Sequence, residues 1–200
     1  MRPFLRLLLF LVICVGLVFI AGFISRTGWF NGLVQPSLTA INNTEVEIEE
    51  IVPADGLHPV VADYTEKLIE EAEAIGISIL ITDGYRTPEE QDRLYQKGRD
   101  QHGRIVTNAK GGQSYHNFGL AIDFALLDEG GEPLWDIAYD GNENGEPDWF
   151  EVAELAKELG FEWGGDWANF TDYPHLQMTF GYSIEELQHA HTEFEKSELP

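Results

Sequence analysis

The first 30 residues carry an apolar run unlike anything later in the chain. Every residue from Leu7 to Ile24 is apolar or glycine. At a helical rise of about 1.5 Å per residue this run reaches about 27 Å, close to the thickness of a bilayer's hydrocarbon core. Arg2 and Arg6 precede the run, so the positive-inside rule places the N-terminus in the cytoplasm and the following chain outside. The pattern predicts that residues 1–30 form a transmembrane helix.

A cleaved secretory signal is the alternative interpretation of this segment. Around Ala21, however, Phe19 and Phe23 occupy positions where a cleavage site needs small residues. This favours an uncleaved anchor in the cytoplasmic membrane, with a single pass and the rest of the chain outside. Cleavage would instead leave a secreted protein.

Helical and strand periodicities begin after a less regular segment. Residues 31–52 show no sustained periodicity and predict an extended stalk. Apolar positions recur at helical spacing over 60–75 and stop at a glycine, and the β-branched run 77–82 predicts a core strand. The sequence TPEE at 87–90 supplies an N-cap, a proline at the first helical position and acidic first-turn residues for a second helix ending near Gly98.

Two later segments alternate between apolar and other residues, as strands do. In GLAIDFALL, residues 119–127, large apolar side chains occupy one face, and the other face is small except for Asp123. In HLQMTF, residues 175–180, the same alternation places His175 opposite the apolar face. Since burying an unpaired carboxylate costs several kcal/mol, Asp123 is either solvated or held for a purpose. We predict an α+β domain over 53–182, with flanking helices on a small antiparallel sheet, followed by an acidic helical tail over 183–200.

Charge and cysteine content restrict the chemistry. The formal net charge of −23 argues against nucleic acid as a partner, because phosphates would be repelled. The single cysteine, Cys14, lies in the apolar N-terminal run, so neither an intrachain disulfide nor a thiolate metal site is available. Any metal site must therefore use ligands other than cysteine.

His116, Asp123 and His175 together provide such ligands. Each has a simple alternative role when taken alone, as a solvated aspartate or a hydrogen-bonded histidine. As a set they make a three-ligand shell that leaves one position for water, which is what catalytic zinc requires.

The motifs around these residues resemble those of a known family. SYHNFGLAIDF (114–124) and DYPHLQM (172–178) resemble the S-x-H-x(6)-D and (E/D)-x-x-H motifs of the M15 zinc peptidases. That group shares a fold with D-Ala-D-Ala carboxypeptidases, lysostaphin-like enzymes and hedgehog amino-terminal domains. ITDGYRTPEEQDRLYQKGR and FEWGGDW also look like the subgroup of L-alanyl-D-glutamate endopeptidases. The resemblance covers about 56–181.

The resemblance implies a role for each matching residue. It implies zinc binding by His116, Asp123 and His175, general-base catalysis by Asp172, and stabilisation of the substrate's carbonyl oxygen or oxyanion by Arg86. Two further positions, Ser114 and Gln91, are candidates for substrate binding. The sequence leaves two alternatives open: Asp166 as the base, and Arg86 as a surface residue paired with Glu89 or Glu90.

A second metal motif lies between the two zinc motifs. DGNENGEPDWFE, residues 140–151, fits the calcium-loop pattern D-x-[DN]-x-[DN]-G-x(5)-E. Its oxygen donors are Asp140, Asn142, Asn144, the Glu146 carbonyl, Asp148 and Glu151. A helical pattern follows the loop but none precedes it, so we expect a loop-plus-helix calcium site. The alternative is an acidic turn that binds no ion.

These expectations combine into one functional hypothesis. The sequence predicts an outward-facing, membrane-anchored zinc peptidase that hydrolyses peptidoglycan stem peptides, with the L-Ala–D-Glu bond indicated by the subgroup resemblance. A D-alanyl-D-alanine carboxypeptidase is the alternative enzyme. A non-catalytic cell-wall or calcium-binding module on the same fold is the alternative of another class.

Overall fold

The computed structural model describes residues 46–97, 99 and 105–199. The N-terminal anchor and its cleaved-signal alternative lie outside these residues and stay predictions. Over the described ranges, no helix combines the length and apolar character needed to cross a bilayer.

The described residues form five α-helices. They are α1 (Ile48–Ile51), α2 (Pro59–Ala74), α3 (Pro88–Gln96), α4 (Asp148–Glu158) and α5 (Ile184–Ser197). Two short 3₁₀ helices, Tyr115–Phe118 and Gly164–Asp166, lie beside the later site. The two helices expected after residues 60 and 87 are confirmed, with α2 followed by Gly76 at a φ of 85° and α3 starting from a Thr87–Glu90 capping box.

The described strands form one antiparallel sheet. They are β1 (Ile79–Asp83), β2 (Ala121–Leu127), β3 (Pro133–Leu134), β4 (Glu162–Trp163) and β5 (His175–Gln177). The order is β1-β2-β5-β4, and β3 pairs with β2 beyond this path. The α+β prediction with a small antiparallel sheet is therefore confirmed.

The β1 strand is an edge strand, so its prediction as a core strand is wrong in that respect. It pairs with β2 on one side, and the Leu80 side chain is 41% exposed. Ile79 points into the core and alternates with exposed neighbours. A short β-branched run reads the same whether one or both faces are buried, so periodicity could not make this distinction.

The core lies where α2 and α4 pack together against the sheet. Leu68 and Ala72 of α2 and Val152 of α4 have no exposed surface. Trp149, at the start of α4, packs on Phe124 of β2 with ring centroids 4.7 Å apart. This contact supports β2, the strand that carries Asp123, from beneath.

The chain on both sides of the predicted domain joins the same core. Val46, Ile51 and Val52 are buried, and α1 contacts α5. The stalk prediction for 31–52 is therefore wrong over 46–52. The apolar residues of EVEIEEI pack against the core of the domain. At the other end, Leu187 of α5 is completely buried. The acidic C-terminal segment is thus packed on the domain.

Candidate active site

Strand pairing brings the predicted metal ligands together. The β2–β5 register places Asp123 directly opposite His175, and the 3₁₀ helix before β2 adds His116. His116 Nε2 lies 3.2 Å from His175 Nδ1, and Asp123 Oδ1 lies 3.3 Å from each of these nitrogens. Both histidines are buried. Three potential ligand atoms therefore form a nearly equilateral triangle.

The triangle has the dimensions that zinc requires. Tetrahedral zinc with ligand bonds of about 2.0–2.1 Å holds neighbouring ligand atoms about 3.3 Å apart. Over residues 46–97, 99 and 105–199, this is the one group of three or more His, Cys, Asp or Glu residues whose ligand atoms lie within 4.8 Å of one another. The residues that the sequence singled out thus fit a zinc ion in number, type and spacing.

Hydrogen bonds orient both imidazoles toward the centre of the triangle. His116 Nδ1 lies 2.6 Å from the Gly84 carbonyl oxygen, which only accepts, so this nitrogen carries the proton and Nε2 is free to ligate. His175 Nε2 lies 3.0 Å from Gln177 Oε1. The Gln177 amide donates onward to Glu162 Oε2 at 2.9 Å, which fixes the amide orientation and leaves His175 Nδ1 for the metal.

Opposite charges couple Asp123 to the histidines. Burial alone would raise the Asp123 pKa, but hydrogen bonds and charge interactions with His116 and His175 hold this pKa well below its ordinary value. Burial alone would lower the His175 pKa, but the Asp123 carboxylate raises it. The site therefore favours an ionised carboxylate beside positive charge, which is also the electrostatic setting of a bound cation.

Arg86 extends this network from the turn after β1. Its Nη2 donates to Asp83 Oδ2 at 2.7 Å and lies 3.6 Å from Asp123 Oδ2, while Nη1 donates to Gln91 Oε1 at 2.6 Å. The side chain is only 11% exposed. The alternative of a surface arginine paired with Glu89 or Glu90 is therefore wrong. Arg86 is instead a buried cation at the floor of the site.

Gln91 has a different place from the one predicted. Its side chain has no exposed surface, and its amide donates to the Ala109 carbonyl at 2.8 Å while it accepts from Arg86. A completely buried amide cannot contact substrate, so the substrate-binding assignment of Gln91 is corrected to a residue that positions Arg86. Ser114 does line the cleft, where its backbone N–H donates to Asn117 Oδ1.

Asp172 stands beside the triangle and lines the same cleft. Its backbone N–H donates to the Gly164 carbonyl at 3.0 Å, and the His175 N–H donates to the Asp172 carbonyl at 3.2 Å. Burial and then the Asp123 charge raise the Asp172 pKa, which makes this carboxylate a better proton acceptor than a solvated aspartate.

Asp166, the alternative base, lies elsewhere. Its carboxylate is more than half exposed and pairs with Lys157 Nζ at 3.2 Å. It is absent from the residues that line the cleft. Of the two candidate carboxylates, Asp172 is the one placed to act on a substrate at the triangle.

The cleft over these groups has a volume of about 580 Å³. One wall carries the aromatic side chains of Trp167 and Phe170, and the Trp167 ring centroid lies 5.1 Å from that of His175. The sequence interpretation missed three contributors: Gln177, Asp83 and Phe170. Gln177 was detectable in principle, since it follows His175 by two residues on one strand face.

The predicted calcium loop folds around its own side chains. Asp140 accepts from the backbone of Asn144 at 3.1 Å and Gly145 at 2.9 Å, and Glu151 accepts from the side-chain amides of Asn142 and Asn144. Gly145 has a φ of 96°, which suits the sharp turn at this position. The loop carboxylates are not drawn together as closely as the His–Asp–His atoms.

Comparison with known proteins identifies the family. A model of the M15 peptidases, described as D-alanyl-D-alanine carboxypeptidase, matches residues 107–178. The peptidoglycan L-alanyl-D-glutamate endopeptidase CwlK of Bacillus subtilis (strain 168) is 58% identical over 127 residues, which span 64% of this chain and 75% of CwlK. This chain belongs to the M15 family of metallopeptidases, and its resemblance to the L-alanyl-D-glutamate endopeptidases of that family is confirmed.

Two further similarities have lower identity. The L-alanyl-D-glutamate peptidase of Listeria phage A118 is 37% identical over 120 residues, which span 60% of this chain and 37% of the phage protein. The solved structure of the L-Ala D-Glu endopeptidase ChiX of Serratia marcescens is 24% identical, with a TM-score of 0.41, and the match covers 66% of this chain and 85% of ChiX.

Proposed function

We propose that this protein is a zinc-dependent endopeptidase that hydrolyses the L-Ala–D-Glu bond of peptidoglycan stem peptides. The carrying observation is the triangle formed by His116, Asp123 and His175, with Asp172 beside it in one cleft. The names of CwlK and the phage peptidase supply the bond. The family membership supplies the reaction class.

His116, Asp123 and His175 hold the zinc ion in this proposal. When bound, zinc supplies a Lewis acid and makes water a competent nucleophile near neutral pH. The protein contributes the fixed ligand geometry, because both histidines are buried and hydrogen-bonded on their outer nitrogens.

Asp172 is the proton carrier. It takes the proton from the water that attacks the peptide carbonyl, and it later gives this proton to the leaving amine of D-Glu. Its raised pKa suits the first step, since a carboxylate with a higher pKa is a stronger base.

Arg86 stabilises the negative charge that develops on the carbonyl oxygen during attack. Its guanidinium is fixed by Asp83 and Gln91, so little reorganisation is needed when that charge appears. Arginine suits this place because its planar fork can hold both partners and still carry its charge toward the cleft.

A D-alanyl-D-alanine carboxypeptidase is the second candidate. The matching family model carries that description, and the same ligands and base would serve cleavage of a terminal residue. The two activities differ in the substrate: a carboxypeptidase removes the last residue of the stem peptide, whereas an endopeptidase cleaves a bond within it. A product analysis therefore distinguishes them directly.

We also propose that the domain works outside the cytoplasmic membrane, held there by residues 1–30. The apolar run from Leu7 to Ile24 and the arginines before it support this orientation. After cell fractionation, the intact protein should be found in the membrane fraction. Protease added to intact cells should degrade its domain. Protection from protease, or release into the medium, would contradict the anchored arrangement.

The decisive experiment is mass spectrometry of fragments released from purified peptidoglycan by the zinc-loaded full chain. We expect new peptides with amino-terminal D-Glu, which disappear with Asp172→Asn although its zinc content is unchanged. Asp166→Asn is the matched control and should retain activity. Release of terminal D-Ala alone would assign the carboxypeptidase, and no release with zinc bound would refute the enzymatic role.

A further inference from the structure

A buried carboxylate oxygen at the first residue of α4 has no hydrogen-bond partner among the described residues. Asp148 is only 3% exposed, and its Oδ2 accepts from the Gly141 backbone N–H at 3.1 Å. Its Oδ1 is buried without any hydrogen bond among the described residues. A buried carboxylate oxygen without a hydrogen bond destabilises the fold, because it loses its contact with water and gains nothing in return. Such an atom indicates a ligand or a bridging water that completes its environment.

Asp140, at the start of the same loop, is also held by backbone amides of the loop. Asp140 is encircled by the backbone N–H groups of Asn144 and Gly145, which fixes its carboxylate inside the loop. The Gly141 N–H that Asp148 binds follows Asp140 directly, so the orphaned carboxylate belongs to this loop. Backbone amides of the loop therefore hold the carboxylates of both Asp140 and Asp148.

Glu151 closes the loop from the first turn of α4. Its Oε1 accepts from the Asn144 amide at 2.7 Å, and its Oε2 accepts from the Asn142 amide at 3.1 Å. Both oxygens of one carboxylate thus face the two amide side chains of the loop. If either side-chain amide rotates by half a turn about its last bond, its oxygen takes the position that its nitrogen now occupies.

We propose that residues 140–151 bind one calcium ion, at a site separate from the zinc ligands. Calcium prefers six to eight oxygen ligands, and 12-residue loops supply them at positions 1, 3, 5, 7, 9 and 12. Here these positions are Asp140, Asn142, Asn144, the Glu146 carbonyl, Asp148 and Glu151. Position nine commonly acts through a water, and Asp148 Oδ1 accepts no hydrogen bond from a described residue.

Calcium at this loop would stabilise the support of the active site. α4 begins at Asp148, and the next residue, Trp149, is buried against Phe124 of β2. Phe124 directly follows Asp123, one of the zinc ligands. An ion that fixes the start of α4 therefore favours the folded sheet, and by mass action it raises the melting temperature.

The test is equilibrium dialysis of the full-length, zinc-loaded, calcium-free protein against radioactive calcium. We expect one calcium per chain with a dissociation constant of about 1 mM or lower, the range of extracellular calcium modules. Asp140→Asn, at a partly exposed position, and Asp148→Asn, at a buried one, should each weaken binding at least about 10-fold. Asp128→Asn is the matched control, since Asp128 also caps backbone amides in an acidic turn.

Measurements of zinc content and melting temperature distinguish a loss of calcium binding from a failure of the variant to fold. Every variant should keep one zinc per chain, and calcium should raise the melting temperature of the native chain and of Asp128→Asn but not of the two loop variants. The proposal is overturned if the native protein binds no calcium at about 10 mM, ten times the weak limit for such modules. Equal calcium affinity in native protein and folded loop variants would overturn it as well.

Discussion

Gln177 lies outside the proposed ligand set but fixes the orientation of one candidate ligand, His175. It accepts a hydrogen bond from His175 Nε2 and donates to Glu162 Oε2, so it fixes which imidazole nitrogen faces the triangle. Glu162 also accepts a hydrogen bond from the Thr179 hydroxyl, which holds the Glu162 carboxylate in place. Residues of this kind tune the basicity and orientation of a ligand without touching the ion.

Gln177→Leu should weaken zinc binding by about 10–100-fold, because His175 loses the partner that sets its orientation. Competition with a chromophoric zinc chelator measures this change. Gln188→Leu, the same substitution on α5, is the control and should leave zinc affinity unchanged. An unaltered affinity in Gln177→Leu would show that strand packing alone orients His175.

At the scale of elements, the site depends on how the helices beside it begin. α3 and α5 both start with a capping box, formed by Thr87 with Glu90 and by Ser183 with Glu186. Only the first box adjoins Arg86 in the chain. The 3₁₀ helix at Gly164–Asp166 in turn packs on the segment that carries Asp172.

Thr87→Ala and Ser183→Ala should each lower the free energy of unfolding by about 1 kcal/mol, the usual cost of removing an N-cap. Thr87→Ala should also lower kcat, because the turn that holds Arg86 loses its anchor. Denaturant unfolding and peptide hydrolysis measure the two effects. Equal kcat values in both variants would mean that Asp83 and Gln91 suffice to hold Arg86.

Gly164→Ala should displace the catalytic segment. A Cβ at this position would lie 2.5 Å from the Asp172 carbonyl oxygen and 3.1 Å from His175 Cβ, so backbone must move. We expect lower thermal stability and loss of hydrolysis, measured by calorimetry and product release. Gly56→Ala is the control, since a Cβ there meets nothing within 4 Å. Full activity in Gly164→Ala would place Asp172 outside the mechanism.

At the scale of the whole molecule, protons and the zinc ion of the proposed function would compete for one charged centre. Without metal, Asp123 has a lowered pKa and His175 a raised one. The Asp123 contribution to stability is present above its unfolded pKa and is lost as pH falls through the folded value. The His175 contribution is present below its unfolded pKa and is lost as pH rises through the folded value.

Asp123 and His175 should therefore stabilise the metal-free protein most between about pH 4 and 6.5, which are the pKa values of the two groups in the unfolded chain. The melting-temperature difference between the native chain and His175→Gln, both metal-free, should shrink from about pH 6 to pH 8.5. The increment produced by zinc should grow over the same range, since the ligands must lose protons. Parallel pH trends with and without zinc would contradict this coupling.

Much of the fold and site was predictable because it depends on local pattern. Helical spacing and the TPEE cap defined α2 and α3, and strand alternation placed Asp123 and His175 opposite the apolar faces. The edge position of β1 was not predictable, since a short apolar run does not reveal how many neighbours a strand has. The burial of residues 46–52 also depends on a surface formed far along the chain.

The sequence by itself determined the candidate ligand types, the placement of Asp123 and His175 on strands, and the family motifs, because these follow from residue identity and spacing. Only the tertiary structure placed Asp172 in the cleft and Asp166 at the surface, since local sequence does not specify where either side chain ends. It also decided that Gln91 supports Arg86 and that Gln177 orients His175. Hydrogen bonds between distant side chains form only after the sheet has set their distances, and no local pattern encodes that geometry.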